Sequence, residues 1–106
     1  MGFGTILIIG FFLLWIIYKI YDFKKRNTIH LDERGYERNG YKNLVHRTVA
    51  YNEIYKKGYR EGVFTERFGS YDVHHIDQNK RNNSPENLQV LTRQEHGAIH
   101  KNLRNN

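Results

Sequence analysis

The chain has 106 residues, no cysteine and a formal net charge of +6. That length allows one small domain. The missing cysteines exclude disulfides and cysteine-ligated metal sites, so a metal held by other side chains is the remaining staple for a small core. The basic balance points to nucleic acid or an anionic membrane surface, and the absence of cysteine fits a reducing compartment.

Gly2–Tyr18, GFGTILIIGFFLLWIIY, carries no charged residue. Its seventeen residues lie at the short end of the roughly 17–25 that cross a bilayer. Trp15, Tyr18 and Tyr21 gather toward one end, where amphipathic rings favour the interface. Lys19 can snorkel, and Lys24–Arg26 follow at once. A cleaved signal peptide would need a basic start and a small-residue cleavage site, which this stretch lacks. A buried core helix would show a wet face or be shorter. Residues 1–21 are therefore expected to form a single-pass transmembrane anchor, with residues 2–18 in the lipid bilayer. The basic flank should stay inside, which puts the N-terminus out and the rest of the chain in the cytoplasm.

Residues 22–34 read as a juxtamembrane linker, and the soluble domain is expected over 35–106. Within Gly35–Val45, the Asn39–Gly40 pair between strand-friendly runs predicts a hairpin. His46–Gly58 has helical apolar spacing, with Gly58 suited to the C-cap. Gly62 and Gly69 mark a turn-rich passage into the next strand. His30 and His46 read as surface or packing histidines, and Asp32 and Glu33 as a solvated pair.

Four of the six histidines fall within Tyr71–His100, YDVHHIDQNKRNNSPENLQVLTRQEHGAIH. YDVHHI has strand character, and neighbouring side chains on a strand face opposite ways. His74 and His75 can serve one site only if the strand ends or twists there. DQNKRNNSPEN supplies such an ending, with the only proline and many loop formers. LQVL suits a returning strand. TRQE is a capping box, Thr92 as N-cap and Glu95 at N3. The helix it opens carries His96 and His100 on one face. Those two can grip one ion, and His74 can complete a three-nitrogen set with positions left open, the mark of a catalytic metal site. Lys80, Arg81 and Arg93 flank the cluster and could hold backbone phosphates.

The pattern VHHID…NN…ENLQVLT…H…H resembles the HNH endonucleases, and LVHRTVA (Leu44–Ala50) is similar to a segment that often precedes the motif in phage and homing-type members. The H-x-x-x-H ending is closer to the colicin-type DNases than to the variant with asparagine at the His96 position. The resemblance covers roughly Tyr36–Leu103. It implies an α+β fold, a ββα-metal core over 71–104 preceded by a hairpin and a helix. It makes His75 the general base and His74, His96 and His100 the metal ligands. Asn87 would be the central asparagine that holds the loop and orients the base, with Asp77 and Asn83 shaping the loop. One divalent ion is implied. Members with an acidic first ligand usually take magnesium or manganese, whereas histidine there favours zinc or nickel.

The expected activity is hydrolysis of DNA phosphodiesters by a membrane-anchored enzyme, with RNA left open as substrate. No separate recognition domain is visible, so sequence specificity should be weak unless a homodimer sharpens it. Two other readings compete: a ββα-metal module that binds nucleic acid without cutting, and a structural membrane protein with incidental metal binding. The first leaves His75 without a task, and the second leaves the loop and Asn87 unexplained.

Overall fold

A computed structural model describes residues 2–105, in the order helix, hairpin, interrupted helix, strand, strand, helix. This is a mixed fold with little strand. The apolar segment forms α1 (Phe3–Asn27). Its large apolar side chains lie all round the helix and nearly all are exposed, from Phe3 to Tyr21 and at Phe23, so no packing within the described residues accounts for them. The helix does not stop where charge begins. It runs through Lys24, Lys25 and Arg26, which lie at its C-terminal end where cations suit the helix dipole.

Residues 22–34, expected as a linker, are thus the last turns of α1 followed by β1 (His30–Leu31). The end of α1 is fastened to the turn around Gly40. The Lys25 carbonyl, one of the acceptors a helix end leaves free, takes the Gly40 N–H at 2.8 Å. Asp22 is buried, accepts the Tyr41 hydroxyl at 2.6 Å and pairs with Arg26 at 3.0 Å. The hydrogen bond to Asp22 pushes the Tyr41 phenol up to about 12. Lys25 also lies over the Tyr41 ring, 4.7 Å from its centre.

The hairpin lies earlier than expected. β1 pairs antiparallel with β2 (Glu37–Arg38), His30 opposite Arg38. Asp32, expected as solvated, organises the connection: it accepts the N–H groups of Arg34 and Tyr36 and the Arg38 Nε–H. The Arg38 bond is the main reason its carboxyl is held below the ordinary range. Asn39–Gly40 opens the next turn instead, which a single bridge between Arg38 and Leu44 closes. There the buried Asn39 side chain caps the N–H groups of Tyr41 and Asn43. A two-residue hairpin would need positive φ at its centre, but Lys42 takes that conformation here. Gly40 answers a different need, since a Cβ on it would stand 2.5 Å from the Lys25 carbonyl oxygen.

The expected helix is α2 (Val45–Ala50), a π-helical turn (Tyr51–Tyr55) and α3 (Lys56–Arg60) in succession. Gly58 is buried inside it rather than at its end. A Cβ there would meet the Phe64 ring at 2.4 Å, and the positive φ near the helix end belongs to Gly62. β3 (Tyr71–His75) and β4 (Leu88–Thr92) pair antiparallel, with Val73 opposite Val90 and His75 opposite Leu88. α4 (Arg93–Asn105) comes directly after β4. Its capping box forms reciprocally: Glu95 N–H donates to the Thr92 hydroxyl at 3.1 Å, and Thr92 N–H to the Glu95 carboxylate at 3.0 Å.

The core lies between α2–α3 and the inner face of the hairpin β3–β4. Ala50, Tyr55, Tyr71, Val73, Leu88 and Val90 are buried there, with Phe64 and Phe68 against them. The buried phenols are satisfied: Tyr55 donates to the Glu66 carbonyl, and Tyr71 accepts two backbone N–H groups. Arg47 spans the layers, donating to the Tyr71 and Phe68 carbonyls from above the Phe68 ring. His46, on α2, is 7% exposed and packs against the rings of both Tyr36 and His75. Its Nδ1 is buried without a partner.

Two outcomes are expected. Gly40→Ala should force α1 off the turn at a cost of about 1–3 kcal/mol. Limited proteolysis at Thr28–Ile29 should then be faster than in the parent, and unchanged cleavage would count against the docking. The second concerns acid. Burial, then the neighbouring His75, lowers the His46 imidazole from 6.5 to about 4. The unfolded chain therefore takes this proton first as pH falls. The stability due to neutral His46 is complete above about pH 6.5 and is lost toward pH 4. His46→Phe keeps an aromatic ring there. Its melting temperature should drop less between pH 7.5 and 5 than the parent's.

Candidate metal and nuclease centre

β3 delivers two histidines to two sides of one cleft. His74 pairs with Gln89 and His75 with Leu88, so successive side chains point apart. The strand ends at His75. The next residues turn back, with the Ile76 N–H on the Asn87 carbonyl and Gln78 at positive φ. The cleft, about 220 Å³, is lined by both histidines together with Tyr36, Val73, Gln78, Lys80, His96 and His100.

On one side, His74, His96 and His100 present ring nitrogens that all lie within 4.8 Å of one another. The capping box starts α4 at Arg93, which sets His96 and His100 one turn apart on the face toward β3. Their Nε2 atoms are 2.9 Å apart. A tetrahedral ion with nitrogen bonds of about 2.0–2.1 Å needs its ligands roughly 3.3 Å apart, so small side-chain shifts would suit the trio to one ion. Asp72 supports the arrangement: its carboxylate faces His96 Nδ1 at 3.0 Å. A proton held there leaves Nε2 with the lone pair a metal requires. Burial first, then the charges of His96 and His100, lowers the His74 imidazole, which keeps it in the neutral, ligating form.

On the other side stands His75, 6% exposed, its ring against His46 at 4.9 Å and Tyr36 at 6.2 Å. Its Nε2 lies 2.7 Å from Asn83 Oδ1. Asn87, expected to orient the base, is engaged elsewhere. Its amide donates to Asp77 and to the Asn82 carbonyl, and its oxygen accepts the Asp77 N–H. All three bonds close the loop on itself, so Asn87 holds the loop while Asn83 touches His75. Asp77 also accepts from Asn82 and from the Asn79 N–H, and these bonds lower its carboxyl.

The basic residues divide. Lys80 lines the cleft, donating to the Arg34 carbonyl from above the Tyr36 ring. Arg93 is exposed at the start of α4, donates to the Gly69 carbonyl and lies 3.7 Å from Asp72. Arg81 is exposed on the loop, outside the cleft lining.

Sequence reasoning left out Asp72, Tyr36, Glu37 and the place of His46 beside His75. Asp72 was within reach, because period-two alternation puts it on the His74 side of β3. The other three arrive from distant segments.

Comparison with known proteins places this geometry. A family model described as HNH endonuclease matches residues 43–98, just over half the chain. No curated protein and no solved structure matches. The matched residues run from α2 to the first turns of α4 and take in both strands, the Asn87 loop, His74, His75 and His96, and by that match the chain belongs to the HNH endonuclease family.

Proposed function

We propose that this protein is a membrane-anchored, metal-dependent endonuclease that hydrolyses DNA phosphodiester bonds at the His74–His100 cleft. The observation that carries the reading is the meeting of three imidazoles suited to one divalent ion, two of them (His74 and His96) inside the family match and His100 two residues beyond it, with a fourth, buried imidazole that is not among them. HNH nucleases act on nucleic acids, and the net charge of +6 suits a polyanion.

In this reading His74, His96 and His100 hold the ion. When bound, it supplies Lewis-acid stabilisation of the phosphate and of the departing 3′-oxygen. Zinc and nickel suit three imidazoles better than magnesium or manganese. His75 takes a proton from the water that attacks phosphorus. An imidazole in its neutral form has a nitrogen lone pair that can accept that proton. Asn87 keeps the loop closed behind the base. Lys80, at the cleft, and Arg81 and Arg93, on its flanks, contact backbone phosphates, so affinity is mainly electrostatic and sequence preference weak.

The anchor is the N-terminal part of the chain, residues 1–21, most of it in α1. Its exposed apolar girth exceeds what soluble monomers leave in water, and one helix of this length and composition could cross a bilayer. The basic turn Lys24–Arg26 supports an orientation with the N-terminus out and the catalytic unit in the cytoplasm. Because Asp22 and Lys25 are fastened to Tyr41 and Gly40, the cleft would stand at a set height above the membrane surface.

Two experiments test this. In a plasmid-nicking assay with added zinc, nickel, magnesium or manganese, His75→Ala should lose activity by a factor on the order of 10²–10⁴ while calorimetry finds metal affinity unchanged. His96→Ala should lose both. Equal loss of metal affinity in the two variants would make His75 a ligand. For the anchor, full-length protein should stay with membranes through carbonate extraction, and protease outside intact cells should spare His74–His100. A chain lacking residues 1–21 should be soluble and active, since the docking turn Asp22–Asn27 is retained. Carbonate release of the full chain would rule out a spanning helix.

A further inference from the structure

His75 has two nitrogens, and only one can take the proton. Its Nε2 lies 2.7 Å from Asn83 Oδ1. The far end of that amide, Nδ2, lies 3.4 Å from Glu37 Oε1. An amide alone can present either end, because oxygen and NH₂ occupy nearly the same space. Glu37 removes the ambiguity. An ionised carboxylate only accepts, so it can face only the NH₂ end, which leaves the oxygen for His75. That oxygen also only accepts, so Nε2 must carry a proton. In a neutral imidazole the lone pair then sits on Nδ1.

We infer that Glu37 and Asn83 are positioning residues that hold neutral His75 in its Nε2–H tautomer and so make Nδ1 the atom that accepts a proton from water. The inference rests on the reading of His75 as general base. As Nδ1 gains the proton and the ring becomes cationic, Nε2–H keeps its bond to Asn83, whose carbonyl dipole favours the charge. The rings of His46 and Tyr36 lie against the imidazole and resist the ring flip that would exchange the two edges. Glu37 and Tyr36 stand on β2 and just before it, outside residues 43–98. The early hairpin thereby becomes a working wall of the site. Lys80 ties that wall to the loop through the Arg34 carbonyl.

The two contacts are unequal. At 2.7 Å the Asn83 bond is short, while 3.4 Å is long for a hydrogen bond. Glu37 therefore biases the amide largely through charge, and losing it should cost less than losing Asn83.

The test is nitrogen NMR of the labelled full-length protein in lipid nanodiscs near pH 8, because the bare and protonated ring nitrogens resonate far apart. Parent His75 should appear as the Nε2–H tautomer. Asn83→Leu, of similar shape but unable to accept, should give a mixture. In nicking assays it should lower kcat on the order of 10- to 100-fold, the range for losing a bond that orients a histidine, with KM and zinc affinity unchanged. Glu37→Gln, an isosteric change at a half-buried position, should give a partial mixture and a several-fold lower kcat. An Nδ1–H tautomer in the parent would overturn the inference even if the protein nicks DNA. So would a parent-like spectrum and kcat in both variants. A parent protein that shows the Nε2–H tautomer but does not nick would instead overturn the assignment of His75 as base.

Discussion

Five facing pairs join β3 to β4, from Tyr71 opposite Thr92 to His75 opposite Leu88, and each side chain of the site takes its direction from that register. Val73 and Val90 turn inward onto Ala50 and Tyr55. Asp72 and His74, at alternating positions, turn the other way toward α4. A slip of one residue would send the valines to solvent and His74 into the core. The apolar pattern that holds the small core together is thus also what aims the imidazoles.

The strand ends where the chemistry needs it to. His75 is the last residue of β3, and the loop behind it closes through Asp77 and Asn87 rather than through apolar packing. Each of those side chains makes several bonds, partly to backbone. Such a network fixes a polar loop that has no core of its own, and a fixed loop is what allows Asn83 to meet His75 at 2.7 Å.

A second polar junction joins α1 to the rest. Buried Asp22, Tyr41 and the Gly40–Lys25 bond turn a change from apolar to basic sequence into a continuous, docked helix. If α1 spans a bilayer, this junction rather than a flexible tether sets how the cleft meets DNA near the membrane. The early hairpin stands beside the junction and also reaches the loop through Lys80 and Asn83, so α1 and the cleft are linked through one short hairpin.

Much of this was legible in the residues alone. The apolar run, the strand–loop–strand–helix order and the capping box that sets His96 and His100 one turn apart are local properties. They depend on hydrophobicity, turn chemistry and helix periodicity within a few residues. The pattern from Val73 to His100 pointed to the family for the same reason. Tertiary structure alone decided the rest. Asn39–Gly40 looked like a hairpin because the pair suits one, yet Gly40 is needed for the approach of Lys25, fifteen positions earlier. Gly58 looked like a helix cap but makes room for Phe64. Asn87 was expected as the partner of His75, yet Asn83 meets it, and nothing local marked His46 as a neighbour of His75 or Glu37 as a neighbour of Asn83. Local sequence specifies which turn a residue can make, but which atom it meets depends on segments dozens of residues away, brought together only when the core closes.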